Sequence, residues 1–306
     1  MTREINLEMH GQDLRASCFA DFIEFQAFRG MTAFSEADLA DYINDSDLYR
    51  ILESKYIGKD LDPVRTGDRQ DKSREAARRI LDILGQRAQL LQGRYPFELQ
   101  RGRLKPRPGE ENVYLWYLFV SLAHGFDLKG VPDPATEFER AVTVGLCNAG
   151  LPSITVGTSA LSRDFDARVG EITQSFPHLV GTLDQVVRSR YLNDGGIDTF
   201  ASLPCASDTR HGHWAFIGQS TVGKSDDWPR KIHEAKPNFW HEVFGQRIEA
   251  IPFFATPHHI QDDFLNALFQ DHRRCLLDRI RLTLWTREAP TSFREYQDAL
   301  QAMAFY

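Results

Sequence analysis

The sequence predicts an α/β protein in which a helical N-terminal region, residues 1–127, precedes a region that holds the strands, residues 128–306. Apolar residues recur at helical spacing through most of the first region. In the second region, the apolar runs Ile197–Leu203 and Trp214–Gly218 flank a turn-rich segment, which is the pattern of two antiparallel strands. The run Ile248–Ala255 predicts another strand. Strands and helices therefore alternate after residue 128.

Four helices are predicted in the N-terminal region. Leu14–Phe28 has apolar residues at helical spacing and ends at Gly30. Ser35 is the predicted N-cap of a second helix that reaches Ile51. The strongest pattern covers Arg74–Leu91, and Tyr114–Leu122 is apolar almost throughout, which predicts a buried helix.

The segment Arg94–Arg107 is basic and ends in prolines, and we expect an irregular connector there. It contains one acidic residue, Glu98, and five basic residues: Arg94, Arg101, Arg103, Lys105 and Arg107. One interpretation is a solvated linker. The other is a phosphate-contacting arm in which Arg101, Arg103 and Lys105 bind nucleic acid.

In the second region, Pro134 opens a helix that Gly150 closes. Glu139 lies one step round from the buried Phe138, so it stands at the edge of the apolar face, although helix pattern alone favours a surface glutamate. Asp227 is the predicted cap of a helix over Trp228–Phe244. Three further helices are predicted: Arg163–Phe176, Ile260–Phe269 and Phe293–Met303, the last two forming a helical C-terminal extension.

Composition limits the classes of protein. The chain has 306 residues, 42% of them hydrophobic and 26% charged, which is typical of a globular protein. It has no apolar run as long as a membrane span, and its N-terminus is too polar for a signal peptide. The four cysteines are scattered without zinc spacing and predict reduced thiols in a cytoplasmic protein: Cys18, Cys147, Cys205 and Cys275.

The net charge of −7 disfavours indiscriminate coating of nucleic acid but allows a local basic groove. After residue 271, basic residues interleave with apolar ones. The charged side of this segment, with Arg273 and Arg274 foremost and Arg279 beyond, either binds nucleic acid or is a solvated face. The adjacent histidines His258 and His259 are interpreted as loop or cap residues, since neighbours in sequence point different ways.

Residues 218–225 match the Walker A pattern G-x-x-x-x-G-K-[ST] in full. The context disfavours a nucleotide site. Pro229 cannot lie inside a helix that begins at Lys224, and Asp226 and Asp227 would repel phosphates. An NTP-binding switch is therefore the least favoured alternative.

The order of charged and polar residues along the second region carries a resemblance to a known superfamily. Phe138-Glu139 lies on a helix, Gly195-Gly196-Ile197-Asp198 begins a strand, and Gln219 ends the partner strand before a further helix and strand. This order resembles the PD-(D/E)xK restriction-endonuclease-like superfamily, especially the Mrr-type branch, which often has Gln in place of the second acid. The resemblance covers roughly residues 130–255. It implies a restriction-endonuclease-like core with a central mixed sheet flanked by helices.

The family pattern also implies a lysine two residues after Gln219, where this chain has Thr221. Lys224 follows three residues later and is the candidate replacement. By resemblance, Asp198, Gln219 and Glu139 would hold Mg²⁺, for which Mn²⁺ would substitute. Asp194 is a reserve ligand. Lys224 would orient or deprotonate the attacking water, or stabilise the charge of the transition state.

The implied function is a Mg²⁺-dependent DNA endonuclease in bacterial restriction or anti-phage defence. The N-terminal helices would bind a protein partner or trigger, or hold a homodimer, since cutting both strands of a duplex uses two active sites. An alternative is a catalytically inactive nuclease fold that serves as a nucleic-acid-binding or assembly subunit, because Thr221 stands in the lysine position.

Overall fold

The computed structural model describes residues 15–30, 35–45, 66–100, 103–107, 111–157, 164–179, 195–203, 210, 212–223, 225–245 and 248–303. Several residues named above lie outside these ranges: Arg101, Asp194, Cys205 and Lys224. Among the described helices, none is long and apolar enough to cross a membrane.

Three helices open the described chain: α1 (Arg15–Phe28), α2 (Glu36–Asp45) and α3 (Thr66–Leu91). The predicted cap is confirmed, because the Ser35 hydroxyl accepts the Asp38 N–H at 3.2 Å and the Asp38 carboxylate accepts the Ser35 N–H at 2.9 Å. Helix α1 is buried on nearly every side, with Phe19, Ile23 and Phe25 inaccessible to solvent.

The prediction of an irregular connector over Arg94–Arg107 is wrong. The segment forms an antiparallel hairpin of β1 (Phe97–Gln100) and β2 (Arg103–Pro106). Phe97 and Leu104 are buried, and the polar residues between them hid this short alternation. The Arg94 guanidinium donates to the carbonyls of Thr283 and Leu284 at 2.7 and 2.8 Å, so this exposed residue caps a distant helix end.

One hydrophobic cluster crosses residue 128. The predicted buried helix is confirmed as α4 (Val113–Gly125), whose residues from Tyr114 to Ala123 are all buried. It packs against α5 (Pro134–Asn148) and the C-terminal helices α10 (Arg279–Trp285) and α11 (Phe293–Gln301). The N-terminal helices and the C-terminal extension therefore share a core.

The sheet has five described strands in the order β3–β4–β5–β6–β7. Strands β3, β4 and β5 pair antiparallel, while β5, β6 and β7 pair parallel, so the sheet is mixed. The hairpin and the later strand are confirmed, and β3 and β7 add strands that the sequence analysis missed. Their bounds are β3 (Ser153–Thr155), β4 (Thr199–Leu203), β5 (Trp214–Ser220), β6 (Ala250–Ala255) and β7 (Cys275–Leu277).

Helices lie over both faces of the sheet. Thr143 of α5 contacts Thr199 of β4 through their hydroxyls at 3.2 Å, which places α5 over one face. Phe200, the next residue along β4, packs against Trp240 and Phe244 on the other face. The predicted helix Trp228–Phe244 is divided into α7 (Trp228–Ile232) and α8 (Pro237–Val243), because proline starts a new helix at residue 237. The other flanking helices are α6 (Phe165–Ser175) and α9 (Asp262–His272).

The fold is thus α/β, with a mixed sheet between helices and a helical N-terminal region. One finer prediction is confirmed only in part and another is wrong. Asp227 is the N-cap residue of α7, but its side chain makes no cap hydrogen bond. Arg279 does not lie on a solvated charged face, since it is completely buried.

Candidate functional site

Strand polarity brings four chain segments to one edge of the sheet. Strand β4 runs antiparallel to β3 and β5, so its first residue, Thr199, is paired with Thr155 and with Gly218. Strand β6 runs parallel to β5, and its last residue, Ala255, is paired with Ser220. Strand β5 is also where the sheet changes from antiparallel to parallel pairing.

Asp198 lies at this edge, immediately before β4, and is 6% exposed. Its N–H donates to the Gly218 carbonyl at 2.7 Å, and its own carbonyl accepts the N–H groups of Val156 and Gly157 at 2.7 and 3.0 Å. Its Oδ2 accepts the Ser220 N–H at 2.7 Å. The chain on both sides therefore holds the Asp198 backbone, and the end of β5 holds its carboxylate.

Gly157 makes this arrangement sterically feasible. A Cβ at Gly157 would lie 2.6 Å from Oδ1 of Asp198 and 3.0 Å from its Cα. A Cβ atom at 2.6 Å from an oxygen is a steric clash, so any side chain here would displace the carboxylate. The sequence analysis did not single out Gly157, because only the fold brings residue 157 against residue 198.

Gln219 is 2% exposed, and Asp198 is hydrogen-bonded to the residues on either side of it. The side-chain oxygen of Gln219 is buried with no hydrogen-bond partner among the described residues. The same holds for two hydroxyl oxygens beside it, those of Ser220 and Thr256. We call these three atoms the strand-end oxygens. Buried polar atoms without partners are rare in native proteins, and their concentration at one edge indicates a place where something else binds.

Glu139 approaches the same edge from α5. Successive turns of α5 follow β3, because Cys147 Sγ lies 3.0 Å from Ser153 Oγ and Thr143 Oγ1 lies 3.1 Å from Thr155 Oγ1. One more turn places Glu139 beyond Thr155, at the end of β3 where Gly157 meets Asp198. Glu139 is 6% exposed, so it is not the surface glutamate that the helix pattern alone favoured.

The two candidate partners of Asp198 come from opposite faces. Helix α5 covers the face that Thr199 and its pair Gly218 share. Side chains alternate along a strand, so Gln219 belongs to the other face. The strand-end site, which we define as Glu139, Asp198 and the strand-end oxygens, therefore wraps around the edge of the sheet.

Other predicted site residues lie elsewhere or outside the described residues. Lys224 and Arg101 are outside them. Thr221, at the family's lysine position, uses its hydroxyl to accept the Gly223 N–H at 3.1 Å in a local turn. The candidate nucleic-acid-binding residues of the hairpin, Arg103 and Lys105, are exposed on β2.

Arg273 and Arg274 lie at the C-terminal end of α9. Arg273 is the left-handed C-cap of the helix and is exposed, and Arg274 is half-buried. Burial lowers the pKa of Arg274. No described contact joins either arginine to the strand-end site.

The Walker A match does not form a loop at its start. Residues 218–220 lie within β5, and a Cβ at Gly218 would be 2.0 Å from the Phe253 ring. Gly218 is therefore needed for packing in the sheet, whereas a P-loop glycine lets the backbone wrap a phosphate.

A second polar cluster, which the sequence analysis missed, lies in the core. We call it the ion-pair network: Asp21 and Glu24 of α1, Arg87 of α3, Arg279 of α10, Tyr95, Tyr114 and His259. Arg279 donates to both oxygens of Asp21 at 2.8 and 2.6 Å, and Arg87 donates to Glu24 at 2.8 Å. His259 lies in the loop between β6 and α9, as predicted, but it is buried there and accepts the Arg87 Nε–H at 3.1 Å.

The network shifts the pKa values of its members in different directions. Burial opposes ionisation of Asp21, but the charges of Arg279 and Arg87 outweigh it and hold the pKa of Asp21 below its usual value. Burial dominates for Glu24 and raises its pKa. Burial also lowers the pKa of His259 well below its usual range, and the two arginines lower it further.

Among the described residues, no group of three or more His, Cys, Asp or Glu side chains could hold a metal ion. The strand-end site offers two carboxylates and one amide oxygen instead. No family model matches the chain, and the searches of curated proteins and of solved structures found no match to it.

Proposed function

We propose that the protein is a Mg²⁺-dependent DNA endonuclease whose active site is the strand-end site. The observation that carries this proposal is that the same strand ends hold the Asp198 carboxylate, fixed by the Ser220 N–H, and the buried, unpartnered amide oxygen of Gln219. The proposed setting is restriction or anti-phage defence in the bacterial cytoplasm, as the family resemblance implies.

The residues present fit a hard cation. Mg²⁺ takes oxygen ligands, one or two of them carboxylates, and keeps several waters. Asp198 and Gln219 would hold it, with Glu139 reaching it directly or through water from the other face of the sheet. One carboxylate and one neutral amide bind weakly, so the phosphate of the substrate would complete the site.

The order of elements supports the same proposal. Helix α5 with Glu139, β4 preceded by Asp198, β5 with Gln219, helices α7 and α8, and β6 follow one another as the resemblance requires. The mixed sheet with helices on both faces is the arrangement that the resemblance implied. Fold alone does not assign chemistry, so the weight rests on the site.

Several residues of the chain would act in phosphodiester hydrolysis, together with a bound Mg²⁺. The Ser220 N–H holds Asp198 in one orientation, so the carboxylate loses little freedom on binding. Glu139 is placed to accept a proton from, or orient, the attacking water. The hydroxyls of Ser220 and Thr256 can donate to phosphate oxygens, and we propose that Lys224 adds positive charge there. A bound Mg²⁺ would supply the acidity that makes water nucleophilic and would offset the charge on the phosphate.

Cleavage assays test the proposal directly. Supercoiled plasmid and single-stranded DNA are incubated with the protein in Mg²⁺, Mn²⁺ or EDTA, beside Asp198→Asn, Gln219→Leu and the exposed control Asp263→Asn. We expect metal-dependent nicking that both site variants lose and the control keeps. Cleavage that survives Asp198→Asn would contradict the assignment of the site.

The local use of the Thr221 hydroxyl favours a second candidate function, a nuclease fold without catalysis. That protein would bind DNA equally in Mg²⁺ and in EDTA and would cleave none of it. A gel-shift titration in both buffers, run with the same preparations, separates the two candidates.

A further inference from the structure

Two histidines from different helices meet on the outer surface of the helical layer. His233 is the C-cap of α7, His272 is the last residue of α9, and His233 Nε2 lies 3.0 Å from His272 Nδ1. At the other end of the same helix pair, the rings of Trp228 and Phe264 stack 6.3 Å apart. Packing therefore holds α7 and α9 side by side and fixes the two imidazoles against each other.

The distance between the two nitrogens is close to the distance between two nitrogen ligands of one metal ion. A Zn–N bond is about 2.0–2.1 Å, so two imidazole nitrogens on a tetrahedral Zn²⁺ are about 3.3 Å apart. The observed 3.0 Å differs from this by a few tenths of an ångström. The rings are nearly perpendicular, with an angle of 82° between their planes, and their contact is a hydrogen bond in which one nitrogen donates to the other. Binding of a metal by both nitrogens requires the donating imidazole to carry its proton on its other ring nitrogen.

The ligand chemistry of the pair suits a transition metal. Imidazole nitrogens are ligands for Zn²⁺ or Cu²⁺ and not for Mg²⁺. The nearby acid Glu234 is bound to Arg230 and Lys231.

We propose that His233 and His272 form a transition-metal site, most suited to Zn²⁺, that ties α7 to α9. Water or a group from a partner fills the remaining coordination positions. This site is separate from the strand-end site in both position and ligand chemistry. Its existence does not depend on nuclease activity.

Calorimetric titration of tag-free protein with ZnCl₂ in Mg²⁺-free buffer tests the site. We expect one Zn²⁺ per chain and a loss of affinity of at least about tenfold in His233→Ala and in His272→Ala, since even loss of an outer-shell partner costs about 10- to 100-fold. His124→Gln serves as the control and should bind as the wild type does. Because both substituted histidines lie at the surface, thermal unfolding without metal should be unchanged.

Electron paramagnetic resonance with Cu²⁺ supplies a readout that folding defects do not imitate. The wild type should show coupling to two imidazole nitrogens and each single variant to one. The proposal would be overturned if the double variant His233→Ala/His272→Ala bound zinc as tightly as the wild type. It would also be overturned if Cys275→Ser lost zinc binding while His233→Ala kept it, because a thiol would then be the ligand.

Discussion

The ion-pair network and the strand-end site are both buried and polar, but they differ in how completely their hydrogen-bonding groups are satisfied. In the network, Arg279 donates to both oxygens of Asp21, to the Pro257 carbonyl and to the Ser121 hydroxyl. At the strand-end site, three buried oxygens have no partner among the described residues. A satisfied network contributes to one unique packing, whereas unsatisfied groups cost stability unless a ligand or water uses them. The difference indicates that the network holds the fold together and the strand-end site binds something.

The largest expected effect comes from breaking the network. Arg279→Met should lower the free energy of unfolding by about 3–5 kcal/mol, because Asp21 would be left as a buried charge with one fewer partner. Urea denaturation measures this, with the exposed Arg273→Met as a control that should change stability by less than about 0.5 kcal/mol. A loss below 1 kcal/mol for Arg279→Met would show that the network is not needed for stability.

Gly157→Ala should lower stability less than Arg279→Met does, but it should strongly reduce activity. The added methyl would displace the Asp198 carboxylate at a cost of about 1–3 kcal/mol. Gly170→Ala is the matched control, since a Cβ at Gly170, within α6, meets no described atom within 4 Å and helices favour alanine. Circular dichroism melts measure the change in stability of both variants. In the plasmid assay, only Gly157→Ala should lose cleavage. Full activity there would mean that the position of Asp198 does not matter.

His259 gives the network a dependence on pH. Its pKa in the folded protein lies well below the usual value of 6.5, so below pH 6.5 the unfolded chain binds a proton that the folded chain does not. Stability should therefore fall as pH falls, by about 1.4 kcal/mol per pH unit at most from this residue.

Denaturation of wild type and His259→Gln at pH 7 and pH 5 isolates that contribution. The glutamine retains an acceptor for Arg87 but does not titrate, so the variant should lose less stability on acidification than the wild type. Equal losses would show that His259 is protonated in the folded protein or contributes no linkage.

The smallest effect should have the opposite sign. Thr256→Val replaces an unpartnered buried hydroxyl with a methyl group of similar shape, so it should raise the free energy of unfolding by about 0.5–1 kcal/mol. If the strand-end oxygens contact substrate, the same change should slow cleavage. Thr143→Val is the contrasting variant, because its hydroxyl has partners on Thr155 and Thr199 and its loss should destabilise. Destabilisation by Thr256→Val would show that its hydroxyl is satisfied in solution.

Long periodic elements could be predicted from the sequence because their cause is local. The spacing of apolar residues fixed the approximate limits of α1, α4 and α5, and the hairpin of β4 and β5 followed from its flanking apolar runs. Short elements could not. Strand β3 has three residues, and the hairpin of β1 and β2 mixes buried Phe97 with basic neighbours, so neither gives a readable pattern.

The residues of the candidate site also differ in whether the sequence could predict them. Asp198 and Gln219 stand out in sequence because they lie at the ends of recognisable strands, and the proposal for them stays a prediction until cleavage is measured. The roles of Gly157, Ser220 and Thr256 could not be read from the sequence. Gly157 matters because of its contact with Asp198, and the two hydroxyls matter because they have no hydrogen-bond partner among the described residues. Two acids in the largely apolar α1, Asp21 and Glu24, were a readable hint of buried ion pairs.

The sequence by itself determined the alternation of helices and strands, the separation of apolar from polar faces and the turn chemistry, all of which depend on residues within a few positions of one another. Only the tertiary structure decided which distant groups meet. Arg279 finds Asp21 across 258 residues, and Asp198 finds the Ser220 N–H through the pairing of two strands. The physical reason is that burial and hydrogen-bond satisfaction depend on the whole packed chain, and no local pattern records which partner a buried charge will have.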